Sequence, residues 1–405
     1  MENNSPLTRV PGFRAVGVTC ELKTSGQPDL ALILADAPAV GAAIFTTNVF
    51  KAAPVLYDMA LLNKSGGRIQ GVIINAGNAN AVTGEQGMRD VTEMARLTEA
   101  VCNLPKDSVF VMSTGIIGHK MPMDKIRRGI KEAAHVIKTE AGQTGQNAAQ
   151  AIMTTDLVSK EAFAQCDING QTVSMGGIAK GSGMIHPNMA TMLSVLVTDA
   201  VIEPAALAQA LKKAAARTFN RITVDGDTST NDTVVILASG RAENAPIEPD
   251  TPAFKTFTTT LTELCADLAK TIARDGEGAT KLVEITVTGA VTEAEAETAA
   301  KTVATSPLMK TALFGNDPNW GRALAAIGRS GVRLEPAQVS LRLGDFQLVK
   351  RGEPLNFDGA AVSRRLAAST DVKILIDLGV GPDWATVWTC DFSYKYIEIN
   401  AEYHT

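Results

Sequence analysis

Thr191 opens a β-branched stretch, TMLSVLVT, directly after a segment rich in glycine and serine, MGGIAKGSGMIHPNMA, residues 175–190. Glycine clusters often cradle phosphates, but neither phosphate pattern fits. A P-loop needs Gly-Lys-Ser/Thr at its end, whereas Lys180 precedes Gly181. The dinucleotide pattern fails because His186 stands where the third glycine belongs after Gly181 and Gly183. A loose loop meeting a rigid strand at a threonine permits a different chemistry. The hydroxyl can attack the carbonyl before it, and hydrolysis of the resulting ester leaves threonine as a new N-terminus. A free α-amine titrates at about 7.7–8.0, so at neutral pH it can serve as base for its own hydroxyl. That single residue would supply nucleophile and base without a Ser-His-Asp constellation. A threonine that merely opens a strand fits the same spacing, and spacing does not choose between the two.

Four other segments carry reactive residue types. STGIIGHKMP, residues 113–122, puts Thr114, Gly115 and Gly118 in a turn after the strand DSVFVM. Exposed glycine N–H groups there could form an oxyanion hole, or the segment could be an ordinary connection. VDGDTSTNDT alternates Asp225, Asp227 and Ser229 like a calcium loop, yet Thr230 and Ile236 occupy the required glycine and glutamate positions. It reads as a polar turn at a strand end. ARDGEGATK sets Glu277 between Gly276 and Gly278 after a long helix, where it could receive an ammonium group or stay solvated. FGNDPNWGR, residues 314–322, reads as a structured loop.

The elements that must hold these residues alternate between strand and helix from end to end. Residues 30–35 and 69–74 are apolar runs expected as buried strands. Residues 88–104 and 205–219 show helical spacing, the second opened by Pro204. Thr256–Ala273 and Thr292–Thr305 are further helices, and Lys281–Thr288 is a strand. The tail offers two strands, VKILIDLG from Val372 and WATVWTCDFSYKYIEIN from Trp384. The proline-rich stretch from Asn244 reads as a surface loop. The fold class is therefore α/β, layered or α+β, without a repeat.

Bulk properties exclude several functions. The 405 residues carry 45% hydrophobic and 20% charged side chains, as a globular protein does. A net charge of −5 argues against nucleic-acid binding, though not against a locally basic pocket. No apolar run reaches the roughly 18 residues of a membrane span. The beginning of the chain has no basic region followed by an apolar stretch, so no secretory signal is expected. Five scattered cysteines form no C-x-x-C pair, and four dispersed histidines suggest no metal site; a reducing cytoplasm fits.

Together the segments resemble one family, the ornithine acetyltransferases, or glutamate N-acetyltransferases, of arginine biosynthesis. The resemblance runs in order through GVTCELK, FTTNVFKAAPV, INAGNANA, STGIIG, IMTTD, the stretch from Met175 to Ala200, DGEGATK, GNDPNWGR and IEINAEYHT. It spans essentially the whole chain. It implies self-cleavage between Ala190 and Thr191 into interwoven fragments, 1–190 and 191–405, which assemble as an α2β2 tetramer. It implies a sandwich of sheets and helices like that of the N-terminal-nucleophile hydrolases. Thr191 becomes the nucleophile, Thr114 and Gly115 the oxyanion hole, and Thr154, Lys180, Thr191, Glu277, Asn400 and Thr405 the substrate pocket. The implied reaction is ping-pong: acetyl passes from N-acetylornithine to Thr191 and then to glutamate. Lys180 would attract an α-carboxylate and Glu277 the ornithine side-chain ammonium. No metal, cofactor, nucleic acid or membrane is implied, and acetyl-CoA stays open as a second acetyl donor. The rivals are an amidase that passes the acyl group to water and a non-catalytic binding protein.

Overall fold

The computed structural model describes residues 5–139, 145, 147–186 and 192–402. The expected strands at 30–35 and 69–74 grow into the centre of an eight-stranded sheet. Its strands are β1 (Phe13–Val18), β2 (Leu30–Phe45), β3 (Arg68–Asn78), β4 (Val109–Ile116), β5 (Lys160–Ile168), β6 (Gln171–Lys180), β7 (Leu193–Thr198) and β8 (Thr233–Ala238). The order is β4-β3-β2-β8-β7-β6-β5, with β1 paired to β2 off this path. Both faces are apolar because both are covered. Leu32, Ile73 and Val111 pack on one core with Met94, Ile126 and Ile130, while Ile33, Val72, Phe110 and Val195 join another. The helices α1 (Ala53–Ser65), α2 (Gly84–Cys102) and α3 (Met123–Val136), and the short α4 (Ala148–Ala151), lie along this half. Helices α5 (Pro204–Arg217) and α6 (Pro252–Arg274) bury Leu207, Leu211, Phe257, Leu261 and Leu268 against Leu196, Val234 and Ile236. The periodicity of α6 and its start agree: Thr251 accepts from the Phe254 N–H at 3.2 Å, and Pro252 occupies the first turn.

A second sheet holds β9 (Leu282–Ala290), β10 (Ser340–Leu343), β11 (Phe346–Lys350), β12 (Glu353–Pro354), β13 (Asp371–Asp377) and β14 (Asp383–Cys390), in the order β12-β11-β10-β13-β9-β14. β13 alternates strictly, with Val372, Ile374 and Ile376 buried and Lys373, Leu375 and Asp377 exposed. The helices α7 (Glu293–Ala304), α8 (Pro307–Phe314), α9 (Trp320–Gly328) and α10 (Gly359–Ala367) cover its buried face. The final helix is α11 (Tyr394–Glu402). The chain is thus an α/β protein of two helix-covered sheets. No described helix is long and apolar enough to cross a membrane.

Three local expectations are corrected. The tail from Trp384 is not one strand: β14 stops at Cys390 and α11 follows. Buried Asp391 turns the chain there by accepting from the N–H groups of Thr280 and Lys281 at 2.8 and 3.0 Å. Phe392 then stacks on Tyr396 across one turn, ring centroids 4.6 Å apart, which a strand could not allow. The STG segment is not a turn, because β4 continues through Ile116 beside β3. The last residues of FGNDPNWGR begin α9 rather than remaining loop.

On α1, the fully buried Asp58 accepts the Val111 N–H of edge strand β4 at 2.9 Å, and its second oxygen has no partner. Burial pushes this carboxyl well above the ordinary carboxylate range. An acid with a raised folded pKa is fully compatible with stability at low pH and opposes it as pH rises. Asp58→Asn keeps the acceptor for Val111 without the titration. Urea unfolding should therefore show the variant gaining on the native chain from pH 5 to pH 8; a constant difference would contradict the buried neutral acid.

Candidate active site

Lys180 ends β6 with its side chain turned into a cavity of about 420 Å³. Strand β6 buries eight consecutive residues, Val173–Lys180, so the lysine has no route to solvent except this cavity. Its Nζ donates to the Thr154 hydroxyl at 2.8 Å and the Thr114 hydroxyl at 3.2 Å. An ammonium only donates, so both hydroxyls accept from it and keep their own O–H free to donate. Burial lowers the Lys180 pKa, and the neighbouring Asp156 carboxylate opposes that effect. Among the described residues, Thr114, Gly115, Thr154, Lys180, Glu277 and Asn400 all line this one cavity. The structure therefore brings together every described residue that the resemblance implies, whereas the Gly118 N–H donates to the Ala81 carbonyl at 3.0 Å and stands apart from the cavity. Ala190, Thr191 and Thr405 lie outside the described residues. Met192 also lines the cavity, and Leu193 pairs with Lys180 across β6 and β7.

Two glycines shape the walls. Gly115 has φ of 129°, and a Cβ there would fall inside the contact radius of the Gly77 carbonyl carbon on β3. β4 can lie this close to β3 beside the cavity only because residue 115 carries no side chain. Gly183 plays the same part for Glu277, whose carboxyl carbon occupies the place a Cβ would take. Asn400, reaching over from α11, donates its Nδ2 to Glu277 Oε2 at 2.8 Å. Glu277 is thus fixed from both sides rather than solvated at a helix end.

The polar stretch 224–233 contributes more than a turn. Asn231 donates to the carbonyls of Ala79 and Ser113 at 2.6 and 2.8 Å, tying the ends of β3 and β4 beside Thr114. Ser229, Asn231 and Asp232 line the cavity, and sequence reasoning missed them. The run of small polar residues was visible, but nothing local says that it faces a site. Asp225 accepts the N–H groups of Met184 and Ile185 at 2.6 and 2.9 Å, so its carboxylate serves the backbone rather than a calcium ion. The cavity therefore offers an ammonium at Lys180, a carboxylate at Glu277, and hydroxyl donors at Thr114 and Thr154. That set suits a small zwitterion carrying a polar group to be held between its charged ends.

Residues 14–405 match the model of the ArgJ family. The chain belongs to the ArgJ family. A relative from Symbiobacterium thermophilum, the arginine biosynthesis bifunctional protein ArgJ, is 48% identical over 401 residues, 98% of each chain. The protein of the same name from Gloeobacter violaceus is 46% identical over 401 residues, also 98% of each. Among solved structures, the arginine biosynthesis bifunctional protein ArgJ of Bacillus halodurans is 46% identical with a TM-score of 0.52. That match covers 53% of this chain and 100% of the solved chain. The motifs STGIIG, IMTTD, MGGIAKGSGM and DGEGATK supply Thr114, Thr154, Lys180 and Glu277 to this ArgJ-family cavity.

Proposed function

We propose that the chain transfers the acetyl group of N-acetylornithine to glutamate through an ester on Thr191, after cutting itself between Ala190 and Thr191. The observation that carries this reading is the pair of bonds from Lys180 to Thr154 and Thr114, in a cavity that Met192 lines within an ArgJ-family chain. The Thr191 amine takes the proton of its own hydroxyl, and the oxygen attacks the acetyl carbonyl. Thr114 O–H and the Gly115 N–H receive the developing oxyanion. Collapse returns the proton to the departing α-nitrogen, and ornithine leaves. The α-amine of glutamate then attacks the ester carbonyl and passes its proton to the Thr191 amine; as the C–Oγ bond breaks, the amine returns that proton to Oγ and N-acetylglutamate leaves. Lys180 meets the α-carboxylate of each substrate; Glu277, held by Asn400, meets the ornithine ammonium.

Two features support the cut. β7 and β8, from the 191–405 segment, sit between β2 and β6 of the 1–190 segment, so the fragments would remain joined by sheet hydrogen bonds. Residues 191–405 number 215 of 405, or 53%, the share of this chain that the whole Bacillus halodurans chain matches. Assembly as an α2β2 tetramer and a cytoplasmic site of action belong to the same reading. The five cysteines, all unpaired, are compatible with a reducing compartment.

The deciding assay measures ornithine release with and without glutamate, with acetyl-CoA plus glutamate run in parallel. Glutamate-dependent release is expected; release at the same rate without glutamate would favour an amidase, and no release would end the proposal. Glu277→Gln keeps the oxygen that accepts from Asn400 but removes the charge. It should raise KM for N-acetylornithine about 10- to 100-fold, as loss of a hydrogen bond to a charged group of ~1.5–3 kcal/mol implies. KM for glutamate should change much less. Equal effects on both substrates would contradict the assignment.

A further inference from the structure

Three separate segments bring side chains to the cavity: 154–156, 180–183 and 275–278. A buried ion cluster that does not line the cavity sits where they meet. Lys160, at the start of β5, donates to Asp156 Oδ1 at 2.7 Å and Asp275 Oδ2 at 2.6 Å, and the three side chains are 0%, 0% and 6% exposed. Each carboxylate also holds backbone. Asp156 accepts the Thr154 N–H at 2.9 Å and the Gly181 N–H at 2.7 Å. Asp275 accepts the Leu157 N–H at 3.0 Å, while its carbonyl receives the Ser182 hydroxyl at 2.6 Å. The Ser182 carbonyl in turn accepts the Glu277 N–H at 3.0 Å. Every segment that supplies a substrate-facing residue on this side of the cavity is therefore bonded to the cluster.

Burying ions is costly, and apolar packing of equal volume often stabilises a fold as well or better. Stability alone does not explain the cluster; its fixed acceptors and its charge do. Resting on the transferase reading, we propose that Asp156, Lys160 and Asp275 form a positioning network. The network fixes Thr154, Lys180 and Glu277 in one arrangement, and Asp156 sets the negative charge that faces Lys180. The groups facing Lys180 are Asp156, Glu277 and Asp232, with Lys160 and Lys23 as opposing cations. Asp156 is the largest of the influences that counter the burial of Lys180, and Lys160 acts the other way. Against its own burial, Lys180 and then Lys160 hold the Asp156 carboxyl well below the ordinary carboxylate range. It stays ionised wherever the enzyme works.

The test compares Asp156→Asn and Lys160→Met with the native chain in the N-acetylornithine assay, from pH 6 to pH 10. Asp156→Asn keeps the shape while removing the charge. Its KM should rise about 10- to 100-fold, as for a misplaced binding group, with a smaller change in kcat. The alkaline limb of kcat/KM should move toward lower pH, because Lys180 loses its proton sooner. Lys160→Met should also raise KM but should leave that limb in place or move it toward higher pH. Thermal unfolding of each variant separates loss of fold from loss of position. Native-like KM and pH limb in a folded Asp156→Asn, or an identical acid-ward shift in both variants, would overturn the network. An inactive native chain would instead overturn the transferase reading on which it rests.

Discussion

Thr191→Ala is expected to yield a single 405-residue chain that transfers no acetyl, where the native chain yields fragments of 190 and 215 residues. In the proposed mechanism the same hydroxyl is needed twice: to attack the carbonyl of Ala190, and to carry the acetyl group once its amine is free. Alanine can do neither. The described hydroxyls at Thr114 and Thr154 accept from the Lys180 ammonium, and neither carries an α-amine of its own to serve as base. Acetyl transfer should fall by roughly 10⁴-fold or more, as when a sole nucleophile is removed. Denaturing electrophoresis and intact mass read the cut; ornithine release reads the transfer. Thr191→Ser, which restores a hydroxyl, should recover both in part. A cut and active Thr191→Ala chain would refute the central proposal, and an uncut but active one would separate nucleophile from cleavage.

Gly115→Ala should be nearly as damaging, for a reason that lies in the backbone. At φ of 129°, alanine is strained, and its Cβ meets the Gly77 carbonyl carbon of the neighbouring strand. Relief requires β4 to move from β3, carrying Thr114 and the Gly115 N–H away from where an oxyanion would form. Loss of one such donor costs about 10²–10³ in kcat. The strain itself should lower stability by about 1–3 kcal/mol. The expected result is a folded chain with a lower unfolding midpoint, kcat reduced by that factor and KM changed little. Because self-cleavage passes through an oxyanion as well, the cut should slow in step with kcat. A variant with native kcat would remove Gly115 from the mechanism.

Much of this architecture was legible where local pattern and tertiary demand coincide. The runs at 30–35 and 69–74 are apolar on both faces because helices and a second apolar layer cover the sheet. Helix α6 is legible by its period, although it starts at Thr251-Pro252, ahead of the Thr256 expected. The tail misled because Y-K-Y-I-E-I-N alternates like a strand, while a buried carboxylate 111 residues from its partner Thr280 turned the chain into a helix. Asn231 and Asp232 were invisible as site residues for the same reason: their function depends on β3 and β4 ending beside them.

The sequence by itself determined the family and the residue types of the candidate site, and it carries the junction proposed for self-cleavage. Those are properties of short, ordered motifs, and motifs survive in one dimension. Only the tertiary structure decided which hydroxyls Lys180 braces, why residues 115 and 183 must be glycine, and that Asp156, Lys160 and Asp275 join three loops beneath the cavity. Hydrogen bonds and van der Waals exclusion act over a few ångströms of space, and the partners they join here stand up to 152 residues apart along the chain.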